Sequence, residues 1–305
     1  ATVTINRPEA MNALNETVVN QLGLALDIAN SDNSVRTIVL DGAGKAFVAG
    51  ADVKFFVDKI RADSFSDIYD FTANGHVVQN KLESSSKTTI ALTTGLALGG
   101  GLELALSCDY RIGTRKTQFR FPETSIGIFP GLGGTQRPAR ISGIPAARWA
   151  VLAGNFMDSK TAADLGLVTN LVDISEVDAT IHSLDSIGKP ENKYPGKPAN
   201  PDSKVVQFAN SFYSDENIAS VLAGNCPDEF DSEDKTVSRQ MKSLSRTAPI
   251  ALSLANDLIN TAGSTKLSDG LDHELSKLET IFSTDDALEG LSALIEGRKP
   301  TYQNS

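Results

Sequence analysis

Apolar positions change period several times along the chain. Residues 1–6 (ATVTIN) alternate and are β-branched, which predicts a strand closed by Arg7-Pro8. Leu14, Val18, Val19, Leu22, Ala25, Leu26 and Ala29 then recur at helical spacing, with Asn12 or Asn15 as cap. Val35–Leu40 predicts a second strand, 41–51 a glycine-rich loop, and about 52–80 one helical stretch. Thr88–Thr93 is short and apolar, as a buried strand should be. Gly95–Asp109 turns from loop into helix, Tyr110–Thr114 is strand-like, and Pro122–Gly134 is a Gly/Pro-rich loop. Helical segments are expected at Ala146–Leu152 and Ser159–Leu165, and a strand at Leu167–Val172. This repeating strand, strand, helix theme through about residue 175 predicts an α/β fold. At 183–204 the composition shifts: four prolines with polar spacers read as an exposed linker or insertion. Beyond it the pattern is helical, most clearly at Ala248–Leu258, Leu267–Phe282 and Asp286–Glu296. The expected organisation is therefore a core over 1–182, a linker over 183–204 and a C-terminal helical region over 205–305.

The 305 residues are long enough for a sizeable core, and 28 basic against 38 acidic side chains give a net charge of −10. That balance argues against nucleic acid or an anionic membrane as partner, so an anionic ligand must be met by local groups. Two cysteines make neither a disulfide framework nor a four-thiolate zinc site, and Cys108 sits in an apolar run as a buried thiol would. A cytoplasmic setting is expected. No run of about 20 apolar residues predicts a membrane span, and no signal-peptide pattern opens the chain. The start at Ala1, inside a strand, hints at one domain of a longer polypeptide.

Familiar catalytic signatures are absent. His76, His182 and His273 lie in separate segments without HExxH, and neither GxSxG nor GxxxxGK[ST] occurs. Gly99-Gly100-Gly101 has the wrong spacing for dinucleotide binding. What remains is a strand feeding small residues and a helix that begins near Gly100. The first amides of a helix lack internal partners and carry its positive dipole end. The Gly100 N–H is thus a candidate donor to a developing oxyanion. Glu103 lies one turn on, on the same face; taken alone it could equally complement the helix dipole. Glu123 follows Pro122 before a glycine-rich loop, and alone it reads as a solvated glutamate. Residues 46–54 (AFVAGADVK) could supply a second amide, with Lys54 free to meet an anionic tail, though a tight connection is the simpler reading.

These segments together resemble the crotonase (enoyl-CoA hydratase/isomerase) superfamily, and they run in its order. Ile5–Leu14 resembles the NRPxxxNAL opening, and Ala46–Lys54 the AFxAGADxK loop. Ala97–Asp109 resembles the AxGGGxELALxCD helix start, and Phe121–Arg137 the PExxxGxxPGxGGTQR loop. Arg298-Lys-Pro resembles the basic C-terminal end.

The resemblance implies a spiral of ββα units with a C-terminal helical subdomain, assembled as a trimer or dimer of trimers. It implies an acyl-CoA thioester as ligand, with coenzyme A part of the substrate and no metal or other cofactor. The Ala51 and Gly100 amides would form the oxyanion hole, and Glu103 and Glu123 the catalytic pair. Ala49, Asp52, Val53, Lys54, Leu98, Gly99 and Gly131 would lie along the substrate. The implied reaction is syn addition of water to a trans-2-enoyl-CoA. Double-bond isomerases of the family often lack the carboxylate at the Glu103 position. Hydrolases of 3-hydroxyisobutyryl-CoA usually lack it too, and often carry an acid where this chain has Gly131. Both points favour a hydratase, whereas the long 208–245 stretch resembles those hydrolases. A fused or associated 3-hydroxyacyl-CoA dehydrogenase is a further expectation, and a silent CoA-binding scaffold is the alternative of another class.

Overall fold

A computed structural model describes residues 1–305. Its strands are β1 (Thr2–Ile5), β2 (Thr37–Gly42), β3 (Ala46–Ala49), β4 (Thr88–Thr93), β5 (Leu96–Leu98), β6 (Tyr110–Gly113), β7 (Gln118–Arg120), β8 (Met157–Asp158) and β9 (Asn170–Leu171). They form two sheets, ordered β1-β2-β4-β6-β9 and β3-β5-β7-β8. All pairings are parallel except β7 with β8. Successive turns of chain lay one strand in each sheet: β2 then β3, β4 then β5, β6 then β7. This is the expected spiral of ββα units, and it stacks the ends of β3, β5 and β7 side by side.

Four strands of the second sheet lie where the sequence pattern predicts loop or leaves the segment unassigned. β3, β5, β7 and β8 hold two to four residues each, too few to establish a period of two. The single helix expected over 52–80 is two, Val53–Arg61 and Phe65–Glu83, broken where Asp63 takes φ 51°. The stretch expected as one helix over 267–282 is likewise divided at Lys277 into Leu267–Ser276 and Leu278–Phe282. Asn15, not Asn12, caps the first long helix, Glu16–Ser31, by accepting the Val18 N–H.

The segment read as an exposed linker is partly helical and tied down. The Val177–Ile187 helix crosses its expected start, and the remainder is strapped to the core. Gly196 and Lys197 N–H donate to Arg140 and Ile141 carbonyls, and Lys193 Nζ reaches Glu83 and the Ser107 carbonyl. Residues 188–203 lack helix and strand and lie mostly exposed, as their proline content predicts, but they are anchored and not free. One hydrophobic cluster of 62 buried residues runs from Ile5 to Leu291, so the C-terminal helices share the core of the spiral. No helix is long and apolar enough to cross a membrane.

Candidate active site

The site is built at the carboxyl ends of β3, β5 and β7, where parallel strands open a crevice. Residues 11–14 stitch onto β3 and its extension. Ala49 N–H donates to the Met11 carbonyl, Leu14 N–H to Gly50, and Asp52 N–H to Leu14. Leu14 and Ala51 thus pair as in a parallel ladder. Since Leu14 uses the groups either side of Ala51, the Ala51 N–H points the other way, and it finds no protein acceptor. Asn12 anchors this arrangement from a left-handed conformation (φ 61°). It is fully buried, with Nδ2 within 2.9–3.1 Å of the Ala43, Ala46 and Phe47 carbonyls.

β5 runs beside β3 with Leu98 opposite Ala49. Gly99, at φ 46° and ψ −123°, turns the chain into the Gly100–Leu106 helix, a conformation that a side chain would strain. Gly100 is the first helical residue, so its N–H has no intrahelical partner. Two unpaired amides therefore stand at neighbouring strand ends. Gly101 lets this helix approach β3 so closely that no Cβ fits between it and the Val48 carbonyl.

The amides open on a cavity of about 260 Å³ that Glu103 and Glu123 also line. Ala49, Ala51, Val53, Leu98, Gly99, Gly100 and Gly131 share its wall. The side chains of Asp52 and Lys54 do not: Asp52 faces Arg7 at 3.4 Å and spends its N–H on Leu14, and Lys54 is exposed on the following helix. Apolar walls come from Phe56, Phe71, Ile126 and Ile128, closed by Leu278, Phe282, Leu291 and Leu294 of the C-terminal helices. Phe56 and Phe282 stack at 5.2 Å between ring centres.

Both glutamates are buried, at 2% and 7% exposure. Glu103 Oε1 accepts the Leu132 and Gly134 amides, each at 2.7 Å. Glu123 Oε2 is buried without a partner. Burial raises the Glu103 carboxyl well above the ordinary range, helped by the neighbouring charges of Glu123 and Glu274 and opposed by its two amides. Burial likewise pushes Glu123 up to about 8, with Arg120 opposing.

Sequence reasoning missed a third carboxylate. Glu274, fully buried on the Leu267–Ser276 helix, accepts the Gly133 and Thr135 amides and the Thr135 hydroxyl. The amides of 132–135 thus alternate between Glu103 and Glu274. His76, outside any catalytic signature, bonds the Gly131 carbonyl through Nε2 at 2.8 Å from a buried position. Nothing local in the sequence marks Glu274, since its partners lie some 140 positions away. Arg137, last residue of the glycine-rich motif, is fully buried, paired with Glu83 at 2.9 Å, and bonded to the Leu132 carbonyl.

Two sheets wound from ββα turns, with helices closing an amide-lined cavity, are the crotonase fold. A family model described as enoyl-CoA hydratase/isomerase matches residues 1–305, and the chain belongs to that family. A probable enoyl-CoA hydratase of Mycobacterium tuberculosis is 31% identical over 300 residues, covering 98% of this chain and 93% of that protein. A crotonyl-CoA hydratase of Syntrophomonas wolfei is 38% identical over 178 residues, 58% of this chain and 67% of its own length. The crystal structure of an enoyl-CoA hydratase from Rhodobacter sphaeroides shares the fold, with a TM-score of 0.82 at 24% identity over 99% of this chain and 89% of the other.

Proposed function

We propose that this chain is an enoyl-CoA hydratase, a hydro-lyase that adds water across the double bond of a trans-2-enoyl-CoA to give the 3-hydroxyacyl-CoA. One observation carries the reading: two unpaired amides and two buried carboxyls face a single cavity. With the thioester oxygen between Ala51 and Gly100 N–H, charge that develops there is met by fixed donors, worth about 2.7–4 kcal/mol each in comparable sites.

The carboxyls then divide the proton work. Burial favours the neutral form of both, and two neighbouring carboxylates resist joint ionisation. The amides on Glu103 Oε1 stabilise its anion, so Glu103 is the base and Glu123 the acid. Glu103 takes a proton from water as the oxygen bonds to C3. The alkene electrons shift toward the thioester, and Glu123 protonates C2. Turnover ends with the proton on Glu103 and the charge on Glu123, and a return transfer within the shared cavity restores the pair. The reaction is redox-neutral, and amides polarise the carbonyl, so the reading includes no cofactor beyond the substrate's coenzyme A. Coenzyme A would follow the Ala49–Lys54 segment, with exposed Lys54 meeting its anionic end.

The same reading places the enzyme in the cytoplasm as a homotrimer or dimer of trimers. Both cysteines, free in the structure, suit a reducing compartment. A 3-hydroxyacyl-CoA dehydrogenase, fused or associated, would consume the product. Crotonyl-CoA tests the activity: loss of enoyl-thioester absorbance with 3-hydroxybutyryl-CoA as product is expected. Free thiol would replace the reading by a hydrolase, a moved double bond by an isomerase, and no turnover by a scaffold.

A further inference from the structure

Three charged side chains line the cavity, and Arg120 is the one cation among them. It ends β7, where its carbonyl accepts the Gly99 N–H and its Cα lies opposite Leu98. Nε donates to the Gly154 carbonyl at 2.8 Å, and the guanidinium lies 4.8 Å from the centre of the Phe156 ring. One edge and one face are thereby held, while Nη1 and Nη2 make no protein hydrogen bond. They form no salt bridge, although Glu123 is near enough for the two charges to act on each other. A half-buried guanidinium with two unused donors and no salt bridge has hydrogen-bonding capacity left for a ligand. Held flat with two donors side by side, it matches the geometry of a carboxylate.

Position along the sheet decides which part of a substrate would meet it. The amides follow β3 and β5, and the expected coenzyme A path follows β3. Arg120 ends β7, opposite Leu98 and one strand beyond β5 on the side away from β3, about 4.8 Å further across the sheet. An acyl chain whose carbonyl sits between the amides and whose coenzyme A leaves along β3 extends toward Arg120.

We propose that Arg120 recognises a carboxylate at the distal end of the acyl group, so that the preferred substrates are coenzyme A thioesters of unsaturated dicarboxylic acids. This rests on the hydratase reading and narrows its substrate class.

The test compares glutaconyl-CoA, which carries a terminal carboxylate, with crotonyl-CoA, which does not, in the same preparations. In the unaltered protein, kcat/KM for glutaconyl-CoA should equal or exceed that for crotonyl-CoA. In Arg120→Met the ratio of glutaconyl-CoA to crotonyl-CoA should fall by about tenfold or more, the worth of a charged hydrogen-bond pair, and Arg120→Lys should recover part of it. Misfolding or altered proton transfer at Glu123 would depress both substrates and leave the ratio in place. A smaller fall, or an unaltered protein that prefers crotonyl-CoA, overturns the assignment while the hydratase reading stands. Hydration of neither thioester removes both.

Discussion

Glu103 hands one oxygen to the Leu132 and Gly134 amides, while Glu123 Oε2 is buried without a partner, so the two carboxyls differ in the proton state that suits them. Glu103→Gln and Glu123→Gln should each lower kcat by about 10²–10⁴-fold, the usual worth of a general acid or base. Binding of the product thioester, read by calorimetry, should change little, because neither residue grips the coenzyme A. The proton on Glu123 also sets an upper pH limit. A carboxyl raised to about 8 is protonated and able to donate below that pH, and ionised above it. The pH profile of kcat/KM should therefore fall as pH rises through about 8, and a flat profile to pH 10 would contradict the acid role. The limb belongs to the pair, because the two titrations interact. Both glutamates were visible in the sequence. What separates their roles was not, because the amides that hold Glu103 come from 132–134 and only folding brings them to it.

The element that sets this geometry is the glycine loop at 131–135, clamped from one side by Glu103 and from the other by Glu274. Glu274→Gln keeps the side chain's size and loses its charge and half its acceptor capacity. The loop amides should lose register, with kcat down by about tenfold to a hundredfold for a small displacement, while KM moves much less. Because the Glu274 charge raises both catalytic carboxyls, the alkaline limb should also shift to lower pH, which loss of packing alone would not produce. Asn12 does a similar service for the other amide. Its motif was legible, but its three carbonyl partners at 43–47 were not. Long elements read well from periodicity. The short strands β3, β5, β7 and β8 did not, because sheet pairing, not local pattern, makes them strands.

At the scale of the whole molecule, the C-terminal helices close the cavity that the spiral opens. Leu291, fully buried on the Asp285–Glu296 helix, belongs both to the core and to the cavity wall. That helix packs on Val53–Arg61, which follows the Ala51 amide. Leu291→Ala should cost about 2–5 kcal/mol of stability in denaturant unfolding. It should also enlarge the acyl end of the cavity and raise kcat/KM for a longer 2-enoyl-CoA relative to crotonyl-CoA. An unchanged chain-length preference would separate the helix from the acyl site. The helical character of 205–305 followed from spacing, but its place over the site did not, since the wall residues Phe56 and Phe282 are contributed by opposite ends of the chain.

Local order in the residues determined what is local here: the long strands and helices, the turn at Gly99, the exposed amide that starts a helix at Gly100, and two carboxylates a short distance along the chain. Tertiary structure alone decided that the Ala51 amide faces the same cavity, that Glu274 and Glu103 share one loop, and that Arg120 lines that cavity without a salt bridge. Those facts depend on which distant carbonyls, amides and charges satisfy one another, and burial settles that only when the sheets close.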